Sequence, residues 1–458
     1  MSGDPETRDS NEATDEPHSG FAVPSWARSG GEGANRKGWR SLSGRRLIWP
    51  ALALLLLYAV WSSYPFTPNP WVALFRQPSG DATAQSAAGR WAMYGGNPQG
   101  TNFLPLADPP QGIIERVIDV GPGVRSGAAV ADGIVYIGGQ SRVVAFETAT
   151  GRQIWEGKVS GPAHGVPAIA GDTLYLGTLN KNVIALERST GQPRWEYQGD
   201  SPFPGSVTVH NGIVYAGSRG GEVHALDAES GRALWEVGLG SPAVAPVAVQ
   251  DGRLYAASSA GVLFARHDRT GDKRARIRTG AALVAPPIAA HGRVYIISEG
   301  GLMAFDGGAR ELPGRYPAEL VWAQLWIWRF PLPAPPEHSG LLWRFAPDRD
   351  MGAFLHPPAV TREALYLGTA AGAAVALKPD DGSLLWTFQA GAPAAASPLV
   401  AGDLLIMAHE DGALRAINRF TQEEVWEISL GSPVAAPPSF AAGRVYAHTQ
   451  DGKLHIIR

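Results

Sequence analysis

From about residue 110 to the C-terminus, apolar residues fall into short runs separated by tight polar turns. In one stretch the runs read VTVHN (207–211), IVYAGS (213–218), EVHALD (222–227) and ALWEVGL (233–239). Asn211-Gly212 between the first two is a hairpin signal, and Gly220-Gly221 and Ser230-Gly231 supply positive-φ positions between the others. The pattern predicts four antiparallel strands. A helical solenoid would need apolar residues recurring every 3.6 positions, and that periodicity is absent.

The pattern repeats. A "turn, apolar, Tyr, small" landmark recurs at Tyr136, Tyr175, Tyr215, Tyr255, Tyr295, Tyr366, Ile406 (in place of Tyr) and Tyr446, in steps of 39 or 40 residues with one step of 71. Eight units of four short strands predict an all-β, eight-bladed β-propeller. The last unit ends at Arg458 after its third strand, KLHIIR. The run IIERVIDV (113–120) has the character of the missing fourth strand, so the N-terminal end of the body is expected to close the ring and remove its open edge.

Ahead of the body, residues 1–45 lack periodicity and read as a disordered tail, acidic first and basic later. The stretch LIWPALALLLLYAVWSSY (Leu47–Tyr64) carries no charge and is flanked by Trp and Tyr, as a membrane helix would be. Its basic residues all precede it. This predicts a transmembrane helix over 46–64 with a cytoplasmic N-terminus and an extracytoplasmic propeller; a cleaved signal peptide and a buried core helix are the other readings. Residues 65–90, Pro-rich and then small and polar, read as a linker, and 91–458 as the propeller.

Composition narrows the chemistry. The formal charge is −3 with no basic field over the chain, which argues against nucleic acid as a partner. There is no cysteine, so disulfides, thiolate metal sites and cysteine nucleophiles are excluded. No G-x-S-x-G, H-E-x-x-H or P-loop pattern is present.

A second landmark shares the period: AFETATGRQIW (145–155), ALERSTGQPRW (185–195), ALDAESGRALW (225–235), ALKPDDGSLLW (376–386) and AINRFTQEEVW (416–426), with a degraded copy ARHDRTGDKRA at 265–275. It resembles the tryptophan-docking motif of pyrroloquinoline-quinone-like (PQQ-like) β-propellers, a family that includes quinoprotein alcohol dehydrogenases and the propeller lipoprotein of the outer-membrane β-barrel assembly machinery. The resemblance covers about 91–458, including WAMYGGNPQGTN (91–102). It implies that Trp155, Trp195, Trp235, Trp343, Trp386 and Trp426 pack between blades as structural parts. Ala275 takes the tryptophan's place in blade 4 and predicts a weaker junction there.

In the dehydrogenases of that family PQQ and calcium sit at the central channel. Register places Arg125, His164, Pro204, Val244, Val284, Leu355, Ala395 and Ala435 at the channel mouth, with His356 one step further in. This set is mostly small and apolar and lacks the oxygen ligands calcium needs. Arg125, His164 and His356 are the polar candidates, each also readable as an ordinary loop residue. His409-Glu410-Asp411 and His448-Thr449-Gln450-Asp451 fall in equivalent turns, where repetition explains them without a metal. No cofactor is expected, PQQ with calcium being the alternative.

The long step is an insertion at about 309–340 in blade 5. Trp322, Trp326, Trp328 and Phe330 lie within nine residues of it. It is either a flap folded onto the blade or a partner-binding or membrane-facing patch. The sequence points to a membrane-anchored, monomeric, non-catalytic scaffold for protein partners of the cell envelope. A PQQ-dependent dehydrogenase and a small-ligand sensor are the alternatives.

Overall fold

Each period folds as four strands because its turns break the apolar alternation at fixed places. In blade 3 the strands, A to D from the axis outwards, are Thr208–His210, Ile213–Gly217, Glu222–Asp227 and Ala233–Gly238. Asn211 and Gly212 take φ of 49° and 75° in the A–B turn, the twist a two-residue hairpin requires. Inner strands are covered on both faces, so Ala128–Ala131 and Thr173–Gly177 are buried throughout. Outer strands alternate: from Val425 on, Glu424–Ser429 is exposed at every second position. That difference explains why the inner runs are almost unbroken apolar stretches and the outer ones are not.

A computed structural model shows eight such blades as eight sheets, which bears out the fold expected from the repeat. It describes residues 50, 52–54, 70–87, 89–105, 109–121, 124–310, 315–331, 333 and 340–458. Contacts divide the chain into Met1–Tyr58 and Ala59–Arg458; all that follows concerns the second unit. The ring closes as anticipated. Ile114–Asp119 pairs antiparallel with Lys453–Ile457 of blade 8, and Ile113 and Arg458 exchange two backbone hydrogen bonds of 3.0 Å.

One expectation needs correction, and another falls outside the described residues. The segment read as a linker is, from Arg76 on, docked onto the propeller. After a short helix α1 (Pro70–Phe75), the Arg76 guanidinium donates to the Leu234 carbonyl at 3.1 Å and the Ser79 amide to the Asp227 carboxylate at 2.5 Å. Gly212 N–H donates to Ala82 O, and Ala84 N–H to Val209 O. Arg90–Trp91 then joins the inner strand of blade 1. Beyond it, the carbonyls of Ala92, Pro98, Gln99, Thr101 and Asn102 accept from inner-strand amides Ile169, Val249, Ala289, Val360 and Val400 of blades 2, 4, 5, 6 and 7. Phe103–Leu104 pairs parallel with the blade 7 inner strand. The segment thus caps the end of the axis where the A–B turns lie, with Trp91, Ala92 and Met93 buried. Backbone groups carry this docking, so a small, polar composition gives no sign of it.

The expectation that falls outside is the membrane helix. The tail 1–45 and most of Leu47–Tyr64 lie outside the described residues, and among the described residues no helix is long and apolar enough to cross a membrane. The insertion, for its part, contains a helix that the sequence pattern did not suggest: α2, Arg315–Ile327, set between strands C and D of blade 5.

Candidate functional site

The repeated motif builds a latch between neighbouring blades. Each tryptophan on strand D lies on the glycine of the next blade's C–D turn. A Cβ on Gly231 would sit 2.7 Å from the Trp195 ring, on Gly271 2.9 Å from Trp235 and on Gly112 2.6 Å from Trp426; Gly191 and Gly382 lie as close to Trp155 and Trp343. These glycines have φ of 70–77°, so conformation and space both demand glycine. The indole N–H completes the latch. Trp195 Nε1 donates to Ala228 O at 2.9 Å, Trp235 Nε1 to Asp268 O at 3.1 Å and Trp426 Nε1 to Pro110 O at 2.8 Å. The tyrosine landmark is part of the same device. Tyr175 and Tyr215 hydroxyls donate to the same two carbonyls, Ala228 O and Asp268 O, with ring centroids 5.9 Å from Trp195 and Trp235. Burial pushes the Tyr215 hydroxyl well above its ordinary pKa, so it remains a donor.

Three junctions depart from this form. Trp386 faces a turn in which Gln422 replaces glycine and itself adopts φ 64°. Blade 8 carries Arg116 at the tryptophan's register position. Its guanidinium donates to Ala149 O at 2.7 Å and Thr150 O at 3.1 Å, and its side chain packs on Gly151. An arginine thus does an indole's work, which a search for tryptophans could not find. The third departure is Ala275. The turn its missing tryptophan would dock on is the C–D turn of blade 5, the place where the insertion begins. Only the tyrosine half of the latch remains, with Tyr255 donating to Gly307 O at 2.8 Å. The lost tryptophan and the inserted helix are therefore two sides of one altered junction.

The eight positions expected at the channel mouth lie ahead of strand A of their blades or at its start, at the end of that strand away from the A–B turns that the capping segment covers. Arg125, Val284 and Leu355 are exposed, and His164, Pro204, Val244, Ala395 and Ala435 are half-buried or buried less completely than the strands behind them. Backbone bonds from Val284, Ala395 and Ala435 amides to Ile297, Ala408 and His448 carbonyls fix this register. Arg125 and His164 are brought together: burial lowers the His164 pKa and the Arg125 charge adds to it. His356 stands apart, its pKa lowered by burial against a backbone hydrogen bond at Ala394. An arginine and a histidine facing an apolar ring do not supply the oxygen ligands of calcium or the several cations a tricarboxylate needs, so the residues present do not fit PQQ with calcium.

The turn histidines have structural partners. His409 Nδ1–H donates to Ala392 O at 2.7 Å and His448 Nδ1–H to Ser126 O at 3.0 Å. Burial lowers both pKa values. Asp411 accepts from the Ala413 amide and Arg415, and Asp451 from Thr449 and Lys453. Among the described residues no group of three acidic or histidine side chains is placed to hold a metal ion.

The insertion's aromatics are exposed. Trp326, Trp328 and Phe330 are 47%, 64% and 54% accessible, with Val321 and Ile327 exposed beside them. Trp322 Nε1 donates to Pro333 O at 2.9 Å. The aromatic side chains are not folded under a flap.

Eight blades, the shared Tyr–Trp latch and closure by an N-terminal strand define a PQQ-like β-propeller. Over residues 71–309 and 334–458 the sequence matches the family model described as outer membrane protein assembly factor BamB, and the chain belongs to that family. The match breaks across the helical insertion. BamB from Moraxella catarrhalis is similar in fold, with TM-score 0.55 and 16% identity over 75% of this chain and 97% of that one. Quinohemoprotein alcohol dehydrogenase from Comamonas testosteroni has TM-score 0.62 and 14% identity over 87% and 83%. A europium-containing methanol dehydrogenase has TM-score 0.58 and 14% identity over 80% and 90%. At such identities the likeness is one of fold. No curated protein matches the chain in sequence.

Proposed function

We propose that this chain is a non-catalytic, protein-binding scaffold of the cell envelope, tethered by the apolar stretch Leu47–Tyr64 with the propeller on the extracytoplasmic side. The observation that carries this reading is the open axial face. There Val284 and Leu355 of blades 5 and 6 are exposed across the ring from Arg125 and His164 of blades 1 and 2, a surface with apolar anchors on one side and a polar edge carrying Arg125 on the other rather than a donor set for a redox cofactor. Membership of an assembly-factor family supports the same class of work. The opposite face is capped by the chain's own segment.

Photo-crosslinkers at Leu355 and Val284, in membranes from the native host, test this. The expected result is one discrete adduct to a protein partner, absent when the crosslinker stands at outer-strand position Leu385. Equal, diffuse labelling from all three positions would remove the scaffold reading. The quinoprotein alternative is tested by adding PQQ and Ca²⁺ to the purified protein: tight stoichiometric binding with dye reduction would establish it and overturn the scaffold reading.

A further inference from the structure

The C–D turns and the A–B turns share one face of the propeller, the capped one, and three consecutive blades make that face unlike the rest. At blade 3 the N-terminal segment arrives on the C–D turn, through Arg76 to Leu234 O and Ser79 to Asp227. Just ahead of it, Leu74 and Phe75 are 72% and 60% accessible. Blade 4 is cationic. Its strands C and D and the turn between them carry Arg266, Arg269, Lys273, Arg274, Arg276 and Arg278 against Asp268 and Asp272, in a chain whose net charge is −3. The same span of blade 3 holds Glu222, Asp227, Glu229 and Glu236 against Arg232 alone. Blade 5 contributes Arg310 and the helix α2 with its exposed Trp326, Ile327, Trp328 and Phe330. Arg266, Arg269, Lys273 and Arg274 flank the C–D turn at the capped end, whereas Arg276 lies midway along strand D and Arg278 pairs with Val262 at its far end; Arg310 and Arg253 lie close enough to Arg274 to lower its proton affinity, after burial, by their charge.

We propose that this sector, blades 3 to 5 on the capped face, is a docking surface for an anionic lipid bilayer. The chemistry is that of an interfacial site: indole and phenyl rings beside arginines, where aromatic rings enter the headgroup region and cations meet lipid phosphates. Chain length favours a membrane over a protein occupant. Eleven residues separate Tyr64 from Arg76, and with α1 helical they span only about 25 Å. A bilayer holding the apolar stretch is therefore within reach of the capped face at blade 3, and blades 4 and 5 adjoin it. The altered junction fits this role. With Ala275 where other blades place the docking tryptophan, the blade 5 C–D turn is free to carry a helix outwards. This inference concerns the face opposite the mouth; it rests on the proposed membrane tether but not on the protein-binding reading.

The chain has no cysteine, so a single reporter can be placed cleanly. Gln324→Cys on exposed α2, carrying an environment-sensitive fluorophore, would be followed in the full chain reconstituted into liposomes. Two compositions are needed, pure phosphatidylcholine and an anionic mixture of phosphatidylcholine with phosphatidylglycerol. The expected result is a blue-shifted emission in the anionic liposomes, weakened in the neutral ones and reversed by high salt. A Leu355→Cys reporter at the mouth stays unshifted in both. The triple variant Arg269→Gln, Lys273→Gln, Arg310→Gln is expected to weaken the bound state by about a hundredfold, roughly fivefold per charge, with near-UV circular dichroism confirming the fold. An α2 reporter that stays in water in both compositions would overturn the proposal, as would a blue shift in neutral and anionic liposomes alike that the triple variant leaves unchanged.

Discussion

The junction between blades 3 and 4 and the one between blades 4 and 5 start from the same plan and end differently. At the first, Trp235 is 5% accessible, lies on Gly271 and shares the Asp268 carbonyl with Tyr215. At the second, Ala275 stands opposite a C–D turn that has grown into a helix, and Tyr255 alone reaches across to Gly307. The tryptophan-on-glycine contact of the first junction recurs at four others; the second has exchanged part of its cement for exposed surface. Regular junctions are therefore where stability is expected to reside, and the altered one is where we propose that the molecule meets a membrane.

The sharpest way to break this comparison is Trp235→Ala. It removes a large buried ring from a cradle that cannot collapse, and it is expected to lower unfolding free energy by about 3–5 kcal/mol, read by chemical denaturation. A smaller loss is expected from Gly231→Ala. The new Cβ would press on Trp195 in a left-handed backbone conformation, costing about 1–3 kcal/mol in the same assay. His409 sharpens the comparison through pH. Thr178, Ser218, Thr369 and Thr449 hold its place in other blades, their hydroxyls capping the B–C turn. Burial keeps His409 neutral in the fold by depressing its pKa. Its contribution is therefore complete above the ordinary histidine range and is lost as pH falls through that range towards the lower folded-state value. His409→Thr should flatten the dependence of the denaturation midpoint between about pH 7.5 and pH 5; an unchanged slope would remove His409 from the account. The smallest effect expected is from Gln422→Gly, which relieves a non-glycine positive φ beneath Trp386 and should stabilise by about 0.5 kcal/mol.

Much of the fold was legible because the repeat states the same rule several times over. Turn glycines, the Tyr and Trp landmarks and the closing strand at Ile114–Asp119 all follow from spacing. The expected channel-mouth residues come from the same rule, a fixed offset from each tyrosine, and the backbone bonds of Val284, Ala395 and Ala435 keep that register. What could not be read lacks a repeated signal. Arg116 replaces an indole by a different chemistry, donating to other carbonyls of the same kind of turn. The capping segment binds through its backbone carbonyls, which every sequence possesses. The helix α2 lies in a unique stretch with no second copy to state its rule. The connection between Ala275 and the insertion required knowing that a tryptophan docks forward onto the next blade, so that a loss in blade 4 and a gain in blade 5 meet in space though about 35 residues apart in sequence.

The central claim, that the blade 4–5 junction has given its cement over to a surface the fold does not need, is tested by deleting residues 315–338 and measuring unfolding by circular dichroism alongside Trp235→Ala. The account predicts a cooperative transition within about 1 kcal/mol of the intact chain for the deletion, far above that of Trp235→Ala. A deletion that destabilises as much as Trp235→Ala would show the insertion to be part of the fold and would contradict the account.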